Sequence, residues 1–166
     1  MIIGQREHSP LSGCQPDRLS VLAMVYKAAH RQGSKTAVTC GDQFLTYNEL
    51  IAAARANAKR LHACGVSNKD IVLCALPTGV ELPIAWLSVM MTNAIIIPVD
   101  AKWPENRIHA VVEASQAAWV ITNGEQPALR SAGLNLFEIR LDGTTDLNAE
   151  THAQCFSDDL LYGFFT

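Results

Sequence analysis

At 166 residues with a formal net charge of −3, the chain has material for one compact core and at most a small extra lobe. Its thirteen Lys and Arg are scattered, with none of the clustered basic stripes that phosphate-backbone binding needs, so nucleic acid is not an expected partner. Charged residues at 17% fall below the roughly 25% of a typical soluble domain, while apolar residues reach 49%. This fits either an Ala- and Ile-rich domain or a surface partly covered by further protein.

Five cysteines (Cys14, Cys40, Cys64, Cys74 and Cys155) lie far apart without a Cys-x-x-Cys pair. An odd, unpatterned set points to a reducing cytoplasm rather than a disulfide framework. Residues 1–18, rich in Ser, Gly, Pro and Gln, read as a loose leader, with charges and Pro10 where a secretory peptide keeps its apolar run. Leu19 to Arg31 carries Leu22, Val25 and Ala29 at helical spacing, ended by Gly33. Thr36 to Cys40 and Gln43 to Thr46 are short β-type runs around the turn Gly41-Asp42.

Thr46-Tyr47-Asn48-Glu49 is a capping box, followed by Leu50, Ala54, Ala58 and Leu61 at helical spacing and by Gly65 as a left-handed stop. Ile71 to Leu76 is six consecutive apolar residues, which suits a strand covered on both faces. A helix over 81–91, a strand over 94–99, a helix over 104–115 with Pro104 at its first position and a strand over 118–122 follow. Leu82 to Val99 is long and apolar enough to suggest a membrane span, but Pro83, Thr92-Asn93 and Pro98 divide it into helix, turn and strand. Asn135 to Arg140 is a further candidate strand, residues 141–158 are polar and turn-prone, and 160–165 reads as a final strand. Alternating strands and helices predict an α/β fold: a mostly parallel sheet with flanking helices.

Few side chains form a chemical constellation. Glu105, His109 and Glu113 fall at i, i+4 and i+8 on one helix face, where a relay or metal site is possible and an ion-paired solvated face is favoured. His8, His30, His62 and His152 are isolated, and Asp158-Asp159 reads as a guard against edge pairing. The sequence has no Gly-x-Gly-x-x-Gly, complete phosphate loop, Gly-x-Ser-x-Gly or His-Glu-x-x-His. No catalytic residue and no metal ligand is therefore assigned.

Two segments carry a resemblance. Leu45-Thr46-Tyr47-Asn48-Glu49-Leu50 resembles the first core motif of adenylate-forming enzymes, especially the adenylation domains of non-ribosomal peptide synthetases. Ile97-Pro98-Val99-Asp100, with Trp103-Pro104 and Arg107-Ile108, is similar to their second core motif. The spacing between the two fits, as does the link from Gly65-Val66 to Asp70-Ile71-Val72. Two departures stand out: Met91-Thr92-Asn93-Ala94 replaces a Lys-Ala-Gly-Gly-like turn, and Ala101 follows the motif Asp where the family usually has Pro.

The resemblance covers residues 19–166 and implies the first part of the large N-terminal lobe of an adenylation domain, ending at the start of the phosphate-binding loop. It matches Leu160-Leu161-Tyr162-Gly163-Phe164-Phe165-Thr166 to the strand entering that loop, with Thr166 as its first hydroxyl and the one ATP-binding residue carried over. The implied parent reaction joins an amino acid to ATP with Mg2+ present, giving aminoacyl-AMP and pyrophosphate, and then transfers the acyl group to the phosphopantetheine thiol of a carrier protein. The partners implied are the remainder of the adenylation domain, that carrier protein and a carboxylate substrate. The phosphate-stabilising donors would lie downstream, so the chain alone is expected to be inactive and to bind none of these cofactors. An aryl- or acyl-CoA ligase fragment, or a non-catalytic split or interaction module, is the alternative.

Overall fold

A computed structural model describes residues 21–100, 102–124 and 127–141. The expected leader over 1–18, the final strand over 160–165, Asp158-Asp159 and Thr166 all lie outside the described residues. The elements in order are α1 (Val21–Gln32), β1 (Thr36–Cys40), β2 (Gln43–Thr46), α2 (Tyr47–Ala63), β3 (Ile71–Cys74) and α3 (Glu81–Met91). They continue with β4 (Ile95–Pro98), α4 (Glu105–Ser115), β5 (Trp119–Ile121), α5 (Pro127–Ser131) and β6 (Asn135–Phe137).

Strands β1 and β2 pair antiparallel about Gly41-Asp42 as the turn residues predict. The other four form a parallel sheet in the order β4-β3-β5-β6, which establishes the α/β class. The all-apolar runs are explained by burial on two faces. On one, Val72, Cys74, Ile96 and Ile121 meet Leu61 of α2 and Ala85 and Val89 of α3. On the other, Leu73, Ile97 and Val120 meet Ile108 and Val111 of α4 and Leu129 of α5. A third cluster joins Leu22 of α1, Ala54 and Ala58 of α2, and Ile84, Leu87 and Met91 of α3.

Helix α2 begins as its sequence dictates. The Thr46 hydroxyl accepts from the Glu49 N–H at 3.3 Å, and Glu49 Oε2 accepts from the Thr46 N–H at 2.8 Å. The bond from the Thr46 N–H foremost, and then the Thr46 hydroxyl's donation to Glu49 Oε2 at 2.8 Å, hold the Glu49 carboxyl below its ordinary value of 4.5. Thr46→Ala should cost about 1 kcal/mol, read from urea unfolding of the chain. Because the folded carboxyl is the stronger acid, its contribution is complete above the ordinary glutamate range and fades as pH falls through the lowered value. Glu49→Gln should remove that part of the acid-side slope; an unchanged slope would refute the link. At the other end, Gly65 has φ +99°, a conformation that side chains disfavour, and its N–H returns to the His62 carbonyl.

Three details differ from expectation. Pro104 stands at the cap of α4 rather than at its first helical position: its ψ is 144°, and its carbonyl accepts from the N–H groups of Arg107 and Ile108. Helix α5 was not anticipated, being only five residues with Leu129 as its buried anchor. The strands are also shorter than their apolar runs; β3 ends at Cys74 although Ala75 stays buried and donates to the Ile121 carbonyl. The apolar stretch from Leu82 to Val99 divides into α3, a turn and β4 as expected, and no helix among the described residues is long and apolar enough to cross a membrane.

Candidate functional site at the carboxyl ends of the sheet

The strand order contains a reversal. From β3 the chain passes through α3 to β4 on one side, whereas from β5 it passes through α5 to β6 on the other. Since β3 and β5 are neighbours, their outgoing connections diverge and leave a crevice beyond their carboxyl ends, where open α/β sheets bind ligands. A cleft of about 660 Å³ lies there. Ala75 to Thr78 approach from the end of β3, Pro98 to Asp100 with Lys102 and Trp103 from the end of β4, and Asn123 from the end of β5.

The β4 wall is the second-motif segment, and its shape follows from its residues. Asp100 turns the chain: Oδ1 accepts from the Lys102 N–H at 2.8 Å and its carbonyl accepts from the Trp103 N–H at 3.0 Å. One turn into α4, the Arg107 guanidinium lies 4.1 Å from the Trp103 ring centroid. This cation–π stack holds the indole, half-buried, against the mouth of the cleft. Beneath, burial raises the Cys74 thiol above its ordinary value of 9.0, so it stays protonated near neutrality and is no nucleophile.

The floor and walls offer apolar surface, a hydroxyl, an amide and one charge of each sign. That can seat and orient a ligand, but it places no base beside a nucleophile. Among the described residues no group of three His, Cys, Asp or Glu could hold a metal ion. The Glu105–His109 pair belongs to a surface clasp instead. Ser131 of α5 donates to Glu105 Oε1 at 2.6 Å, and His109 Nε2 lies 3.2 Å from the same hydroxyl and 3.6 Å from the carboxylate. The Ser131 bond, with smaller help from His109, keeps the exposed Glu105 carboxyl below its ordinary value. His30 and His62 are exposed near the ends of α1 and α2.

Sequence reasoning singled out Asp100, Trp103 and Arg107, and the structure brings them together at the cleft. It did not mark Thr78 or Asn123, which carry no motif and reach the site only because β3 and β5 are adjacent. The Thr92-Asn93 turn lies at the opposite end of β4, where Asn93 takes φ +57° in a position usual for Gly; Asn tolerates it at low cost.

Comparison with known proteins converges on one family. The model of a family described as AMP-binding enzyme matches residues 25–160. The chain is similar to tyrocidine synthase 3 of Brevibacillus parabrevis, at 29% identity over 156 residues, which is 91% of this chain and 2% of that protein. Among solved structures it resembles a benzoate CoA ligase from Burkholderia xenovorans at 25% identity with a TM-score of 0.65, covering 72% of this chain and 26% of that one. It shares the fold of the Klebsiella oxytoca NpsA N-terminal subdomain at 23% identity with a TM-score of 0.64, covering 75% of this chain and 33% of that one. The chain thus spans a small part of the curated relative and about a quarter to a third of these structures. With both core motifs in their expected elements and most of its length matched, this chain belongs to the AMP-binding enzyme family and corresponds to the N-terminal part of an adenylate-forming enzyme.

Proposed function

We propose that this chain, over residues 19–166, forms the opening part of the large lobe of an amino-acid-activating adenylation enzyme of the non-ribosomal peptide synthetase kind. The observation that carries the reading is the second core motif, Ile97 to Ile108, building one wall of the switch-point cleft. The likeness to tyrocidine synthase 3 along nearly all of the chain supports an amino acid as the carboxylate.

In the proposed reaction a carboxylate oxygen attacks the α-phosphorus of ATP, forming the acyl–phosphate anhydride and breaking the bond to pyrophosphate. The phosphopantetheine thiol of a carrier protein then attacks the acyl carbon and releases AMP. Stabilisation of charge on the phosphoryl oxygens dominates the first step. Thr166 is assigned the first hydroxyl of the phosphate loop. The sheet and the Asp100–Arg107 junction supply a rigid base, and the remaining donors come from the rest of the lobe. A cytoplasmic setting belongs to the same proposal, in keeping with the free thiols of Cys40, Cys64 and Cys74.

A second reading, a fragment of an aryl- or acyl-CoA ligase, draws support from the likeness to the benzoate CoA ligase. A non-catalytic split or interaction module is the third. ATP–pyrophosphate exchange separates them. The 166-residue chain alone should show no exchange above buffer, and measurable turnover would overturn the division of labour. A chimera in which residues 21–141 replace the matching stretch of a tyrocidine synthase adenylation unit should keep amino-acid-dependent exchange. A folded but inert chimera would count against the peptide-synthetase reading, and thioester formation on coenzyme A instead of a carrier would favour the ligase.

A further inference from the structure

Away from the cleft, helices α1, α2 and α3 enclose a groove of about 370 Å³ whose lining is almost wholly apolar. Its two walls are built alike. Val21 and Val25 of α1 stand at i and i+4, and Leu82, Trp86 and Met90 of α3 at i, i+4 and i+8, so each wall is a helical ridge. Leu50 of α2 contributes to the lining between them. The charge beside the groove has one sign. From Val21 to Gly41 the chain carries Lys27, Arg31 and Lys35 and no Asp or Glu, although its net charge is −3. Met24, Lys27 and Arg31, all exposed, follow at i, i+3 and i+7 along the strip of α1 outside Val21. The carboxylates of the other two helices are turned elsewhere: Glu49 is taken up by Thr46, and Glu81 folds back against Gly79.

We propose that this groove docks an amphipathic helix of a partner polypeptide, with apolar side chains entering between the ridges and Asp or Glu along the flank that faces α1. Shape, length and charge select that occupant. Two helical ridges over a floor form a trough of the kind that a third helix fills. The 11 residues of α3 make the trough roughly 16 Å long, about three turns of an incoming helix. Met90 in the wall and Met24 beside it supply flexible, polarisable side chains that adapt to such a surface. Lys27 and Arg31 then meet carboxylates on the helix flank, which fixes its orientation and rejects a basic helix. A membrane surface matches less well, because the apolar groups line a recess rather than a protrusion. A second copy matches less well too, since two such faces meeting bring like charges together at Lys27 and Arg31.

The test uses the full 166-residue chain and two fluorescein-labelled, helix-forming peptides of about 18 residues. Both carry leucines at helical spacing on one face; one has glutamates along the flank and the other lysines. Anisotropy titration at low salt should show the glutamate peptide binding about ten-fold more tightly, with the difference shrinking as salt is raised. Lys27→Glu combined with Arg31→Glu should reverse the preference. Val21→Gln, at a wall position that is 47% exposed, should weaken both peptides about five-fold and leave the urea midpoint unchanged. Equal binding of the two peptides, or none, would overturn the proposal. So would either of two behaviours that Val21→Gln abolishes. Self-association in sedimentation would give the groove to a second copy, and co-sedimentation with phosphatidylserine vesicles would give it to a membrane.

Discussion

Asn57→Leu should lower the unfolding free energy by about 3 kcal/mol, the largest effect expected of a polar substitution among the described residues. Asn57 is fully buried on α2 and uses both ends of its amide. Its Nδ2 donates to the Ala53 carbonyl at 2.8 Å and the Arg140 carbonyl at 2.7 Å. Its Oδ1 accepts from the Arg140 N–H at 3.0 Å and from Arg60 Nη1 at 2.7 Å. Arg60 in turn reaches the Glu138 carbonyl at 3.0 Å and lies 4.6 Å from the Phe137 ring centroid. The amide thus gives the backbone just beyond β6 the partners that a sheet would give. Leucine fills the volume but strands the Arg140 N–H and carbonyl, and stranded groups cost more than a lost bond. With a urea slope of about 2 kcal/mol/M, the midpoint should fall by roughly 1.5 M. A drop below about 0.5 M would mean water takes over those partners at little cost.

Ala54→Leu should cost nearly as much, about 3 kcal/mol, for the opposite reason. Ala54 and Ser88 are both fully buried where α2 crosses α3. Ser88 Oγ lies 2.6 Å from the Ile84 carbonyl and 3.1 Å from the Ala54 carbonyl, so the helices approach closely enough for a serine hydroxyl to bridge them. Ala53, Ala54 and Ala58 leave room for that approach. A leucine at position 54 must push the helices apart, losing the bridge and the packing of Ile84 together. Ala63→Leu, at an exposed position of the same helix, is the control and should change stability by less than about 0.5 kcal/mol. Equal effects at the two positions would show that the crossing is not tightly packed.

How much of this was legible beforehand depended on whether the signal was local. The Thr46–Glu49 box, the Gly65 stop and the bounds of α3 could be read because each rests on residues within one or two turns. The parallel class could be read because Ile71 to Leu76 has no polar face to offer water. Strand order could not: β3, β4 and β5 are interchangeable apolar runs, and only the packing of three helices decides which lies in the middle. The junction at Asp100, Trp103 and Arg107 was visible as a strand-to-helix turn, but the cleft was not, since Thr78 and Asn123 join it through that hidden order. Helix α5 escaped notice because a single buried leucine in five residues has no period to read.

The position of β3 between β4 and β5 has a consequence during synthesis. Val72 pairs with Ile96 early, whereas its other neighbour, Trp119, arrives 47 residues after it (119 − 72). Until then a nascent chain carries β3 with one side unladdered, an apolar parallel edge open to any passing extended strand. Ribosome stalling between Val99 and Ala118 would therefore hold the chain with that edge open, the state that chaperones would need to shield.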